Sequence, residues 1–432
     1  MLLYFIFFLV VVFLLSYVWN RDIFSPSCMV CIMFILASGF AYYASVTWNY
    51  NMSSKSFWVL SIGIFSFVIS SFLIELLYKR THKIDSLGRP MREIEINGIT
   101  AMVFLIVFII GFLYYYYSLG KLTGVSGLNL ASTFRNLSRK NEIEMGALGR
   151  LCLNFMRGGA TTAVIILMNS MFTKTFKKNH GIILLICIIL YMLLTLLSGE
   201  RTSIIRIIGV AVLSFGVFWK RKLNKAISFK YILLGIALFA VVLYGFSAIR
   251  FFVGRSSQLN IIEYLAFYFG SPIHNFDYGI NNYSYISINS GHTFIGINNN
   301  LARLGIGSIK SIHRANIVST SLNVFFGNTY TCIYDYYVDY GILGVIILMS
   351  IYGVIISYMH CEAVYGNEKY IYKTIIYTFF GTTLFFVAFT EQFYSTYIAI
   401  ITIIIIISIY ISLRLLNSKR VGFLRYRIGK II

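Results

Sequence analysis

Apolar runs recur along the chain at roughly 2–19, 24–46, 57–78, 99–120, 151–172, 181–198, 203–219, 231–249, 330–358, 374–390 and 394–413, separated by polar segments. Each is at or near the ~20 residues an α-helix needs to cross the hydrocarbon core of a bilayer. The pattern predicts an all-α polytopic membrane protein of about eleven transmembrane helices, with residues 1–432 forming one integral membrane domain. The first run lacks a basic leader and a small-residue cleavage site, so it reads as a retained helix rather than a signal peptide.

The polar segments alternate in charge. Arg21, Lys79, Arg80, Lys83, Arg89, Arg92, Lys174, Lys177, Lys178, Lys220, Arg221, Lys222, Lys225, Lys230, Lys369, Lys373 and the tail from Arg414 onward fall on one side and hold most of the 36 Lys and Arg residues. The positive-inside rule makes that side cytoplasmic. The opposite side then owns two large loops, 121–150 and 250–329, and tight hairpins near 199–202 and 391–393. Aromatic residues such as Tyr264, Phe267, Phe276, Tyr283, Phe294 and Phe326 argue against disorder in the longer loop. It is expected to pack as a cap, with its apolar stretch 259–270 as a short helix on the membrane surface.

Composition agrees: 58% of residues are hydrophobic and 12% charged. A net charge of +21 would suggest nucleic acid in a soluble chain. Here the charges flank apolar runs, so that partner is discarded. The six cysteines are scattered, mostly inside apolar runs. Cys28-Met29-Val30-Cys31 has redox-motif spacing without the supporting context, and Cys152 and Cys332 both read as near the outer face with nothing to pair them. No HExxH, P-loop, GxGxxG, paired CxxC or nucleotide-sugar DxD motif stands in a matching context. Neither a soluble nucleotide-sugar donor nor a catalytic metal or other cofactor is expected. No internal repeat is visible, which counts against an inverted-repeat transporter.

Charges at bilayer depth are the candidate chemistry, because they are costly unless they face a cavity and a partner. Arg201 lies in the hairpin Ser198-Gly199-Glu200-Arg201-Thr202-Ser203, and Arg206 follows one to two turns further in. A guanidinium beside a helix N-terminus makes an anion site. Arg250 and Arg255 recur at the start of the long loop, while Arg157 sits inside a spanning helix beside Gly158 and Gly159. The structural alternatives are an ion pair within the hairpin, headgroup snorkelling, interfacial anchoring, or for Arg157 a buried acid. Asp335 and Asp339 share a helix face one turn apart, and an arginine is the expected partner of Asp339. His274, His292 and His313, with Glu263 and Asp277, are candidate general bases on the outer loop. His313 ranks first because it precedes the re-entry near Asn328. The run Tyr114-Tyr115-Tyr116-Tyr117 reads as an aromatic belt.

The Ser-Gly-Glu-Arg-Thr-Ser hairpin, the arginine after the following outward helix, and Asn328-Thr329-Tyr330-Thr331 leading to Asp339-Tyr340-Gly341-Ile342-Leu343-Gly344 resemble the Wzy family of O-antigen and capsule repeat-unit polymerases. The motifs cover a few dozen residues near 198–206, 250 and 327–344. The resemblance implies a GT-C-like, lipid-dependent glycosyltransferase of the bacterial inner membrane. Its donor and acceptor would be oligosaccharides on undecaprenyl pyrophosphate, with membrane lipids and a chain-length regulator as partners. Arg201 and Arg250 would bind the pyrophosphate, supported by Arg157, Arg206 and Arg255. His313 and Asp335 would assist at the acceptor, and Glu200, Asn328 and Tyr330 would contact substrate. The related O-antigen ligases are similar in carrying a His-Asn pair before their last long inward helix. Gly327 stands in the place of that histidine, which favours polymerase over ligase. A lipid-linked oligosaccharide flippase is the transporter alternative.

Overall fold

The computed structural model describes residues 1–82, 89, 91, 94–140, 142–200, 202–228, 230–235, 237, 240–241, 244–245, 260–282, 291–308, 317–319, 324–366 and 370–417. Thirteen α-helices follow in chain order among them: α1 (Leu2–Asn20), α2 (Pro26–Tyr43), α3 (Ser54–Thr81), α4 (Gly98–Thr123), α5 (Leu130–Arg139), α6 (Ala147–Thr173) and α7 (Lys178–Leu197). Then come α8 (Thr202–Leu223), α9 (Ile261–Asn282), α10 (Ile295–Arg303), α11 (Cys332–Tyr365), α12 (Tyr370–Gly381) and α13 (Ile400–Leu416). Eight of them, α1 to α4, α6 to α8 and α11, are long and apolar enough to cross a membrane. The chain is a multi-pass helical membrane protein. Exposed Leu14, Ile110, Leu185, Ile347 and Ile403 fit lipid contact, the solvent in which bare apolar surface carries no penalty.

Two apolar runs form something other than one straight helix. The run 374–390 starts in α12, tightens into a 3₁₀ segment over Thr382–Phe386, and turns back through a π-helical turn, Phe393–Tyr397, into α13. The run 330–358 is broken at Gly341, whose φ of 65° and ψ of −159° suit glycine. Nine of the nineteen residues of the run 231–249 lie outside the described residues, and the other ten are helical.

The described parts of the long loop do pack. Its helix extends well past 270, through Pro272 to Asn282, and lies on α2, with Phe40 stacked on Phe269 at 5.5 Å. Asp277 ties it to the start of α3, accepting from the Ser53 hydroxyl at 2.5 Å, from the Ser53 amide at 3.2 Å and from the Ser56 hydroxyl. A small antiparallel hairpin, β1 (Ile317–Ser319) and β2 (Val324–Gly327), departs from the all-helical expectation. Asn275 pins the end of that hairpin by donating to the carbonyls of Phe326 (3.2 Å) and Thr329 (2.9 Å).

At the centre α3 runs against α11, joined by Ser357 donating to Ser71 at 2.6 Å and by an edge-on Phe67–Tyr352 contact. The tyrosine run on α4 divides: Tyr115 is buried, whereas Tyr114 and Tyr117 are exposed, as belt residues would be. All six cysteines are free, and Cys152 and Cys332 are not joined.

Candidate functional site

Gly158 and Gly159 on α6 let neighbouring helices come close. A Cβ on Gly158 would stand 2.7 Å from Ser408 Oγ of α13, and one on Gly159 would stand 2.7 Å from the Phe108 ring of α4. Ser408 in turn donates to the Phe155 carbonyl at 2.7 Å. This packing directs Arg157 inward, as small neighbours imply. Its Nε donates to Tyr191 Oη at 3.2 Å, and its Nη2 lies 3.4 Å from Glu200 Oε2. Only 14% of the Arg157 side chain is exposed, against 44% for Glu200.

The α7–α8 hairpin presents that glutamate. Gly199 adopts φ 74°, and the Gly199 and Glu200 amides return to the Leu196 and Thr195 carbonyls. The left-handed glycine ends α7 in the usual helix-terminating way. Ser203 at the start of α8 donates to Glu200 Oε2 at 2.9 Å. Glu200 is therefore an ion-pair partner of Arg157. The stem of Arg135 on α5 lies against Gly199, bringing in an arginine that sequence reasoning passed over.

Arg206 enters the same region from α8. Its Nη2 donates to Gln392 Oε1 at 2.8 Å, and its guanidinium carbon stands 5.7 Å from the Phe386 ring centre and 5.8 Å from that of Tyr397. Tyr397 is also within electrostatic reach of Arg157. Among the described residues, no carboxylate lies within ion-pairing distance of Arg206, and its buried Nε has no hydrogen-bond partner.

The turn between the 3₁₀ and π segments supplies a second group unforeseen from sequence. Glu391 is 3% exposed, and its two carboxylate oxygens accept from the Tyr394 and Ser395 amides, each at 2.7 Å. Tyr336 Oη donates to it at 3.2 Å. Burial is the largest influence on this carboxyl, which lies in the turn outside the spanning helices, and pushes it up to about 7. Cys332 donates its amide to the Val387 carbonyl at 2.9 Å, which locks the start of α11 to this turn.

Asp335 and Asp339 do share a face of α11, and both meet segment 291–294. Asp335 is fully buried, with Oδ1 3.6 Å from His292 Nδ1. The expected arginine partner of Asp339 is replaced among the described residues by backbone: the amides of His292 and Thr293 donate to its carboxylate at 3.3 and 2.8 Å. Two amides can hold a buried carboxylate as a cation would, because each supplies a directed N–H. Tyr330 is buried and stacked on Tyr334 at 4.2 Å, so it serves packing and is closed to a ligand. Asn328 is exposed just beyond β2. His274 stacks on Phe326 at 4.0 Å, and burial lowers its pKa; it is a packed imidazole.

The expectations for Arg201, Arg250, Arg255 and His313 lie outside the described residues. Of the remaining candidates, Arg157, Arg206 and Glu200 are brought together near the α7–α8 hairpin. Asp335 is linked to that region through its neighbour Tyr336, Glu391 and Gln392. No three His, Cys, Asp or Glu side chains among the described residues form a metal-binding set. What the arrangement offers is a pair of part-buried cations with aromatic walls, suited to an anion. No family model, curated protein or solved structure matches the chain.

Proposed function

We propose that the chain polymerises undecaprenyl-pyrophosphate-linked oligosaccharide repeat units at the outer face of the bacterial inner membrane, as its resemblance to the Wzy polymerases implies. The observation that carries this reading is Arg206, a part-buried cation without a carboxylate partner among the described residues, next to the Arg157–Glu200 pair. Cleavage of an anomeric C–O bond leaves negative charge on the departing pyrophosphate. Guanidinium groups already held in place stabilise that charge without reorganising. Arg206 has a free donor for the purpose, and Arg157 is held ready by Glu200 and Tyr191. At the acceptor, the 17%-exposed His292 beside buried Asp335 can take the proton from the attacking hydroxyl. This adds a second imidazole to the one expected at His313.

The second reading is a lipid-linked oligosaccharide flippase, and one observation favours it. The sequence suggests that unusual polar residues gather at one face, yet Asp22, Glu75, Lys220 and His360 are buried near the lysine-rich face. An O-antigen ligase would use the same donor with lipid A core as acceptor.

The surface polysaccharide of cells lacking the chain separates these readings, after complementation with wild type, Arg201→Ala, Arg206→Ala or Arg250→Ala. A polymerase gives collapse of the long ladder to one repeat unit on core, restored by wild type and not by the variants. Loss of every capped species refutes polymerisation; the membrane face on which lipid-linked glycan then accumulates distinguishes flippase from ligase.

A further inference from the structure

At the lysine-rich face, opposite the arginine site, five segments bury ionisable side chains that the proposed reaction does not use. Asp22 stands in the turn between α1 and α2, Glu75 near the end of α3, Lys220 near the end of α8, His360 near the end of α11, and Tyr377 on α12; all are buried. Asp22 Oδ1 accepts from the Phe24 amide at 2.9 Å, while Oδ2 lies 3.4 Å from His360 Nε2. Lys220 Nζ donates to the Asn20 carbonyl at 3.2 Å. The Tyr377 and His360 rings are 5.1 Å apart. Glu75 is within electrostatic reach of Asp22, His360, Lys79 and Lys220.

These groups are close but poorly satisfied. Asp22 Oδ2, Glu75 Oε1, both His360 ring nitrogens and Tyr377 Oη are buried and make no hydrogen bond. The remaining facing groups do not supply what is missing. Cys28 on α2 and Cys361 and Tyr365 on α11 are neutral neighbours of the acids. Arg221 gives its Nη1 to the Ala363, Val364 and Gly366 carbonyls at 3.2, 3.1 and 2.8 Å. Lys79 is half-buried and Arg21 exposed, at the rim where water and salt screen them.

The cations Lys220 and Arg221 are buried there too, yet Asp22 Oδ2 and Glu75 Oε1 receive no donor. A buried carboxylate oxygen without a donor is expensive, and the commonest remedy is a change of protonation. We propose that Asp22, Glu75 and His360 form a proton-binding site that takes one proton from solvent at the lysine-rich face. Carried on His360 or Glu75, that proton adds a donor among otherwise unsatisfied acceptors. It ties the α1–α2 turn to α3 and α11. Its loss leaves Asp22 and Glu75 repelling each other, at the far ends of α8 and α11 from Arg206 and Asp335. The site does not depend on which reaction the outer face performs.

The test is infrared titration of the full-length protein in lipid nanodiscs between pH ~5 and ~8, the range in which imidazole and raised carboxyl groups change charge. Wild type is compared with Glu75→Gln, Asp22→Asn and His360→Asn. The expected result is a carboxyl or imidazole protonation signal in wild type that is lost in each variant that folds, with the wild-type melting temperature falling as pH rises and the fall flattened in those variants. No protonation signal in wild type, or the same signal in every folded variant, overturns the proposal. Should none of the variants fold, wild type alone decides: a protonation signal from a carboxyl or imidazole shielded from solvent in that range, with the melting temperature falling as pH rises, upholds the proposal, and the absence of any such signal overturns it.

Discussion

Arg206 illustrates how one side chain holds a site open. Among the described residues its charge is balanced by an amide and two rings rather than by a carboxylate, leaving capacity for an anionic ligand. Replacing it with alanine is expected to lower polymer synthesis by about 10²–10³-fold at equal expression, the scale of losing one preorganised donor to a developing anion. Arg206→Lys should restore little, because a lysine ammonium lacks the planar fork that reaches Gln392 while lying against aromatic faces. An in vitro assay of glycan length checks both. Glu391 makes a different prediction. In the folded chain its carboxyl stands at about 7 against an ordinary 4.5, so folding favours the protonated form. The stability this contributes is full below about 4.5 and is lost as pH rises through about 7. Glu391→Gln should remove that part of the slope in a melting-temperature series across pH. Arg157 and Asp335 were legible as candidates because a charge inside an apolar run is conspicuous. Glu391 was not, since a glutamate between two apolar runs reads as an ordinary hairpin residue until the turn is seen to fold inward.

Helices set the geometry that those side chains use. The α6–α13 contact depends on Gly158, where a side chain would meet Ser408 and the Ile405 carbonyl. Gly158→Leu should cost about 1–3 kcal/mol through overpacking and displace Arg157, lowering the melting temperature and activity together. Gly341 carries the break in α11 with a backbone conformation that penalises any Cβ. Gly341→Ala is expected to destabilise by about 1–3 kcal/mol, measured by thermal unfolding in detergent. Sequence periodicity located both segments but not their irregularities. An apolar run reports that a segment meets lipid or core, and it is silent about a change from α to 3₁₀ or π winding, which depends on what caps the freed amides. Here Glu391 caps two of them.

For the whole molecule, the basic segments give an orientation that can be tested directly. A cysteine introduced at exposed Ser126 should react with an impermeant maleimide in intact cells, and one at exposed Lys225 only after permeabilisation; the reverse pattern would invert the topology. Two polar regions then stand at opposite ends of shared helices: the arginines near the α7–α8 hairpin, and the buried acids and His360 at the lysine-rich end of α3, α8 and α11. The first is apparent along the chain because its residues sit in one short hairpin. The second is dispersed over Asp22, Glu75, Lys220 and His360, which lie up to several hundred residues apart and read singly as ordinary helix-end charges.

Hydrophobic run length and charge alternation determined that this is a helical membrane protein, which ends of its helices are basic, and where deep charges need explaining. Those properties follow from transfer of each segment between water and lipid, a local quantity. Partners were decided by tertiary structure alone: Glu200 for Arg157, Gln392 for Arg206, and backbone amides for Asp339 where an arginine had been expected. A buried charge must be satisfied by whatever donor or acceptor the packed helices bring within about 3 Å, and that neighbour is set by helix contacts between distant parts of the chain.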